Sequence, residues 1–282
     1  MITSCVSHST SPDDEILVFA SARSGDGDIY AWDQKSETAN LLIATSYGEG
    51  NPVLDRARNR IVHQVFTTNA VLLKSGDTTL FEDPNGDAPP VWSADGKRIA
   101  YSKKVEEGEM IFIGDSSGVE TEVLPSRSQT NRYPIFSPSG DKLAYLSRFD
   151  EGWRLQIYSL RTSLLTFESS AFSYLGHPSW SPDGEQIAVD TRIGEYAEIG
   201  IINLQTGELS VVASLNGNSL KPSWSIDGKR IVFGSDTDDG DWDIYSVDIE
   251  SGRITNLIDS PGFDGAPIMV PASIVSGYFS AE

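Results

Sequence analysis

The stretch Pro178-Ser179-Trp180-Ser181-Pro182-Asp183-Gly184, with Ile187-Ala188-Val189 close behind, reads as a strand, a tight turn and a second strand. Serine can bond the backbone of its own turn, proline presets φ at the second position, aspartate suits the third, and glycine supplies the left-handed φ. A proline at the start of the first strand removes only a terminal ladder donor, which sheets tolerate. The pattern returns as Trp92-Ser93-Ala94-Asp95-Gly96, Phe136-Ser137-Pro138-Ser139-Gly140 and Trp224-Ser225-Ile226-Asp227-Gly228. The aromatic residues stand at 92, 136, 180 and 224, a period of 44 residues three times over, each after a proline at 90, 134, 178 or 222. A strand-built repeat of this length means propeller blades.

Aligned on the turn serine, modules start at Ser11, Asp55, Ser93, Ser137, Ser181 and Ser225, with a stub at Val270. The last full module gives the type: strand A is Pro222-Ser223-Trp224, B is Ile231-Val232-Phe233-Gly234, C is Asp243-Ile244-Tyr245-Ser246-Val247, and D is Ile254-Thr255-Asn256-Leu257. The first module has Ser11-Pro12-Asp13-Asp14 in place of the turn. The second is degenerate, with Leu54 in the aromatic slot, and is six residues short. The stub, Pro267-Ile268-Met269-Val270, has a strand but no blade after it. An open stack of blades would expose sheet faces and edges, so the two chain ends should share a blade. The sequence thus predicts an all-β fold, a six-bladed β-propeller of four-stranded antiparallel blades over residues 11–282, closed by pairing of the N- and C-terminal segments, with a tether at 1–10. Trp92, Phe136, Trp180 and Trp224 should occupy equivalent buried positions.

Proline, one residue, tryptophan, Ser-Pro-Asp-Gly, then an Ile-Ala-Phe-like strand and an Asp-Ile-Tyr strand together resemble the TolB-type β-propeller repeat. The modules at 178 and 222 match best, and the likeness runs over roughly 11–270. The resemblance implies an interaction module, since proteins of that family are periplasmic and bind partners such as the lipoprotein Pal. The N-terminal α/β domain of that family has no counterpart in this sequence, so a role in the Tol system is not implied. Nor is the hydrolase domain that related propellers cap in prolyl oligopeptidase-like enzymes.

Charge narrows the partners. With 21 basic and 41 acidic residues the net charge is −20, which speaks against nucleic acid and anionic membranes, since both need a basic footprint. A protein or peptide partner fits better. No run of eighteen apolar residues is present, so no transmembrane segment is predicted. The only cysteine, Cys5, sits in Ile2-Thr3-Ser4-Cys5 before a Ser/Thr-rich stretch. That tetrapeptide resembles a bacterial lipoprotein box without the signal's basic and apolar regions. Two readings stand, a lipid anchor at Cys5 or a free thiol. A monomer in the periplasm or cell envelope is the expectation.

Motifs for chemistry are few. Gly114-Asp115-Ser116-Ser117-Gly118 matches the string of a nucleophile elbow, which needs a helix after the serine; here strand-forming runs lie on both sides, so a C to D hairpin is predicted. His8, His63 and His177 have no metal-ligand spacing. Asp236-Thr237-Asp238-Asp239-Gly240-Asp241-Trp242-Asp243 has the acid density of a calcium loop but carries Val247 where a bidentate glutamate belongs, so a solvated loop is the plainer reading. No cofactor or metal motif is found.

The up-and-down strand order puts B to C and D to A loops at one end of the ring. There the B to C loops are acidic, while the D to A loops finish next to the axis with Arg132-Tyr133, Gly176-His177 and Leu220-Lys221. Variable loops on a rigid scaffold are where binding residues sit. Arg132, Tyr133, Trp153, His177, Tyr196, Lys221 and Trp242 are therefore the candidate partner-binding residues of this mouth. A non-enzymatic protein- or peptide-binding module is the leading reading. The alternative is a carbohydrate-active lyase or hydrolase whose site in the mouth would use His177, Arg132 and Glu195.

Overall fold

Strand B of the type module is apolar without alternation, the mark of a strand covered on both faces, and 231–235 are all buried while strand D leaves Thr255 and Asn256 exposed and buries only Ile258. Each module therefore runs from a covered inner part to a wet outer edge. The computed structural model describes residues 15–34, 36–68, 70–83, 89–115, 119–237 and 240–279. Cys5, His8 and the first turn lie outside them.

The chain opens with β1 (Glu15–Ser21), β2 (Asp28–Asp33) and β3 (Thr38–Ile43). A second sheet follows in β4 (Gly48–Asp55), β5 (Arg60–Phe66), β6 (Val71–Ser75) and β7 (Thr78–Asp83). Next come β8 (Val91–Trp92), β9 (Arg98–Val105), β10 (Gly108–Asp115) and β11 (Glu120–Val123), then β12 (Thr130–Phe136), β13 (Lys142–Phe149), β14 (Gly152–Ser159) and β15 (Leu164–Glu168). Two further sheets are β16 (Leu175–Trp180), β17 (Gln186–Thr191), β18 (Glu198–Asn203) and β19 (Leu209–Ala213), and β20 (Ser219–Trp224), β21 (Arg230–Ser235), β22 (Asp243–Asp248) and β23 (Ile254–Ile258). Finally β24 (Asp264–Pro271) pairs antiparallel with β1, Val270 opposite Ile16 and Ile268 opposite Val18, and so completes the first sheet.

The sheets are antiparallel and four-stranded in four cases, but six separate sheets are not what forms. Among the described residues, β8 to β15 make one sheet of eight strands. Its two halves meet in a single parallel bridge, Glu109 opposite Thr130, with the Glu109 N–H donating to the Gln129 carbonyl at 2.7 Å. The reason is local. Gly108 has φ +143, and a Cβ there would lie 1.9 Å from the Gln129 oxygen, so only glycine lets the backbones approach this closely.

The tight turns follow the predicted chemistry. Ser93, Ser181 and Ser225 donate to Asp95, Asp183 and Asp227 at 2.6–2.7 Å. Their carbonyls accept from Gly96, Gly184 and Gly228, whose φ values are 66° to 75°. The hydrogen bond from Ser181 is the main cause that holds the Asp183 carboxyl below its usual pKa. The string at 114–118 lies between β10 and β11, as a link from strand to strand, with 116–118 outside the described residues.

A terminal helix, α1 (Ala272–Phe279), was not foreseen. It buries Ile274 and Val275 in a cluster with Val18, Ile29 and Ile61. The innermost strands β4, β8, β12, β16, β20 and β24 each touch the next, and β24 touches β4. No helix of the described residues is long and apolar enough to cross a membrane.

Candidate functional site: the axial mouth

All six inner strands line one cavity of about 540 Å³. Five of them carry, and β8 directly follows, a proline at the same place, in Asn51-Pro52, Pro89-Pro90, Tyr133-Pro134, His177-Pro178, Lys221-Pro222 and Ala266-Pro267, and the residue before each proline lines the cavity. These residues form a ring at one end. Three positions on, Leu54, Trp92, Phe136, Trp180, Trp224 and Met269 form an apolar layer deeper in, and the serine turns lie at the far end. Of the four aromatics, Phe136, Trp180 and Trp224 are buried while Trp92 is half-buried. Trp180 also donates its indole N–H to the Ile135 carbonyl of the neighbouring inner strand at 3.2 Å.

The backbone is unusual at this ring. Asn51, Tyr133, His177, Lys221 and Ala266 all have φ between 37° and 56°, although a residue before proline favours extended conformations. At each of these places the ladder shifts register. A bulge re-aims a side chain, and here it repeats in strand after strand.

A buried carboxylate ties the ring together. Asp190, wholly buried in β17, accepts from the Lys221 backbone N–H at 3.1 Å, pairs with His177 Nδ1 at 2.8 Å, and accepts from the Tyr174 hydroxyl at 2.9 Å. Burial, then the charge of Asp190, pushes the Tyr174 phenol up from its ordinary value. The Tyr133 ring lies 4.8 Å from the His177 ring, tilted by 48°. Lys221 Nζ reaches past Ala266 to the Asn51 Oδ1, and Asn51 in turn donates to Gln64 at 2.6 Å. Burial lowers the pKa of the Lys221 ammonium, Asp190 opposing.

Tyr133, His177 and Lys221 thus converge. Arg132 does not. The bulge turns it from the axis, and its Nε donates to Glu109 at 2.5 Å. Trp153 lies under Arg148, 5.9 Å from guanidinium carbon to ring centre, and its backbone bridges Phe172. Tyr196 and Glu195 are exposed on the loop before β18. Trp242 packs at 6.2 Å on Phe263 and, with Tyr174, Arg192 and Asn218, lines a second cavity of about 510 Å³. His63 is buried within β5, away from the mouth. Asp236 caps Asn218, and Asp241 accepts from Gly262; Asp238 and Asp239 lie outside the described residues. Among the described residues, no three His, Cys, Asp or Glu side chains are grouped to hold a metal ion.

Sequence reasoning missed Asn51, Pro89 and Ala266, and above all Asp190. A signal existed, because Asp190 follows Ile187-Ala188-Val189 in a strand otherwise written for the core, where a carboxylate needs partners.

Residues 169–278 match the family model described as TolB beta propeller domain, so the TolB-like repeat is present in that stretch. TolB from Acinetobacter baumannii is similar in fold, with a TM-score of 0.78 at 16% identity, over 93% of this chain and 68% of that one. A protein from Agrobacterium tumefaciens with a provisional TolB assignment gives 0.68 at 16% identity, over 89% and 90%. A chain in the structure of a nidogen/laminin complex gives 0.66 at 11% identity, over 91% and 98%. At such identities the likeness is one of fold. No curated protein sequence matches the chain.

Proposed function

We propose that this protein is a non-enzymatic binding module that takes a protein or peptide segment at the axial mouth and works in the periplasm or cell envelope. The propeller is read as six-bladed and monomeric, the eight-stranded sheet dividing at the lone Glu109–Thr130 bridge into two blades. One observation carries the binding reading: strands from every part of the chain deliver one residue each to a ring around a single cavity. The TolB-like repeat supports the choice of partner and compartment. A tether at 1–10 with a lipid anchor at Cys5 belongs to the same reading, and mass spectrometry of the protein from its own cells tests it by the mass of an acyl group.

The carbohydrate-enzyme reading finds one acid–base pair, His177 with Asp190, but not the rest. Arg132 is held by Glu109, and Glu195 stands on an exposed loop. The binding reading is tested with a random heptapeptide library immobilised by its N-termini. Wild-type protein should be retained, His177→Asn should lose most of that retention, and Lys97→Ala in the far-end turn should keep it. Equal retention of His177→Asn, or none for the wild type, contradicts the reading.

A further inference from the structure

The arginines near the blade junctions are matched by carboxylates: Arg23 by Asp264, Arg58 and Arg60 by Asp55, Arg132 by Glu109, and Arg230 by Glu15. Lys221 is different. In a protein of net charge −20, its ammonium hydrogen-bonds the neutral side-chain carbonyl of Asn51 and forms no ion pair among the described residues, Asp190 acting on it through its charge without contact. Its backbone N–H and the His177 ring share the same Asp190 oxygen, which ties the two residues together on adjacent inner strands that line one cavity. Because His177 Nδ1 is engaged with Asp190, Nε2 is the nitrogen left for the cavity. Ala266, between Asn51 and Lys221 in the ring, adds no bulk in front of the ammonium. Deeper in, the walls are prolines, Ile135, Ile268 and the indoles of Trp180 and Trp224.

We infer that the mouth takes the C-terminal carboxylate of a peptide, Lys221 Nζ donating to one oxygen and the imidazolium form of His177, held at Nδ1 by Asp190, donating from Nε2 to the other, with the indole layer receiving the last side chain. The inference rests on the peptide-binding reading above. A half-buried cation without an ion pair in an apolar cavity gains far more from an arriving carboxylate than an exposed one. One ammonium beside an imidazolium whose charge Asp190 balances suits a monoanion, and the strongly acidic protein disfavours a more highly charged guest. The site also favours a chain end over a mid-chain segment. Its wall of prolines offers no N–H groups, so a continuous peptide would lose backbone partners on both sides of the anchored residue.

The probes are N-acetyl-L-phenylalanine and its amide, titrated against the full chain, with the Lys221 ammonium and His177 ring followed by NMR. The acid should shift both resonances saturably and bind about tenfold or more tighter than the amide, the margin expected for hydrogen bonds to a charged group. Lys221→Met should erase the difference between the probes. The comparison of acid with amide on the wild type stands even if that variant does not fold. Equal binding of acid and amide overturns the carboxylate proposal, as does silence from both probes. If the heptapeptide library is nevertheless retained at the mouth, the peptide-binding reading survives; if it is not, both fall.

Discussion

His63 is fully buried, and neither ring nitrogen has a hydrogen-bond partner among the described residues. Burial, with Lys74 opposite it on β6, lowers its pKa from 6.5 to about 4. The unfolded chain takes up the proton first, so the stability tied to a neutral His63 is complete above pH 6.5 and is lost as pH falls towards 4. That loss amounts to about 3 kcal/mol, at about 1.4 kcal/mol per pKa unit. His63→Leu should therefore show a flatter urea midpoint between pH 7 and pH 4, and an identical slope in both proteins would refute this. Glu49 runs the other way. Burial first, with Asp28 adding to it, raises its pKa above 4.5. Its contribution is present below its ordinary pKa and lost as pH rises through the raised one. Glu49→Gln should thus be more stable than wild type at pH 7, with the gap closing towards pH 4. Trp180, 9% exposed on the cavity wall, should cost about 3 kcal/mol when cut to alanine. An unchanged melting curve would show that it packs nowhere.

Among the elements, β5 shows how a degenerate module is repaired. β6 pairs with β5 only from His63 onward, and the Tyr278 hydroxyl of α1 accepts from the Ile61 N–H at 3.0 Å and donates to the Ile61 carbonyl at 3.3 Å. Tyr278→Phe leaves those groups unpaired and should lower stability by about 1–3 kcal/mol, read as a shift of the denaturant midpoint with an unchanged slope. Gly108→Ala should cost about 2–3 kcal/mol by forcing apart the bridge between the halves of the eight-stranded sheet; Gly194→Ala, with nothing within 4 Å of the added carbon, should cost little. Parity between the two would mean the bridge is not under that constraint. The turns were legible in the sequence because Ser, Pro, Asp and Gly each have one conformational reason to stand where they do. α1 was not. Ala272-Ser273-Ile274-Val275-Ser276-Gly277-Tyr278-Phe279 carries no acidic first turn and no basic last turn, so its helicity comes from packing Ile274 and Val275 against the first sheet.

For the molecule as a whole, the 44-residue period made the ring readable, and the pairing of β24 with β1 was implied by the strand left over at Pro267. The mouth was readable only in part. Arg132 and Tyr133 are neighbours, and a bulge, which the sequence does not announce, decides which of them faces the axis. Asn51 and Ala266 were hidden because nothing in their types marks them, only their place before a proline. Whether these six positions act as one site is tested most directly by hydrogen exchange with a retained heptapeptide. Binding should slow exchange at the mouth ends of β4, β12, β16, β20 and β24 together while leaving the outer strands β3, β11, β15 and β19 unchanged. Protection confined to one sheet, to the outer strands or to the serine turns at the far end would contradict a single site.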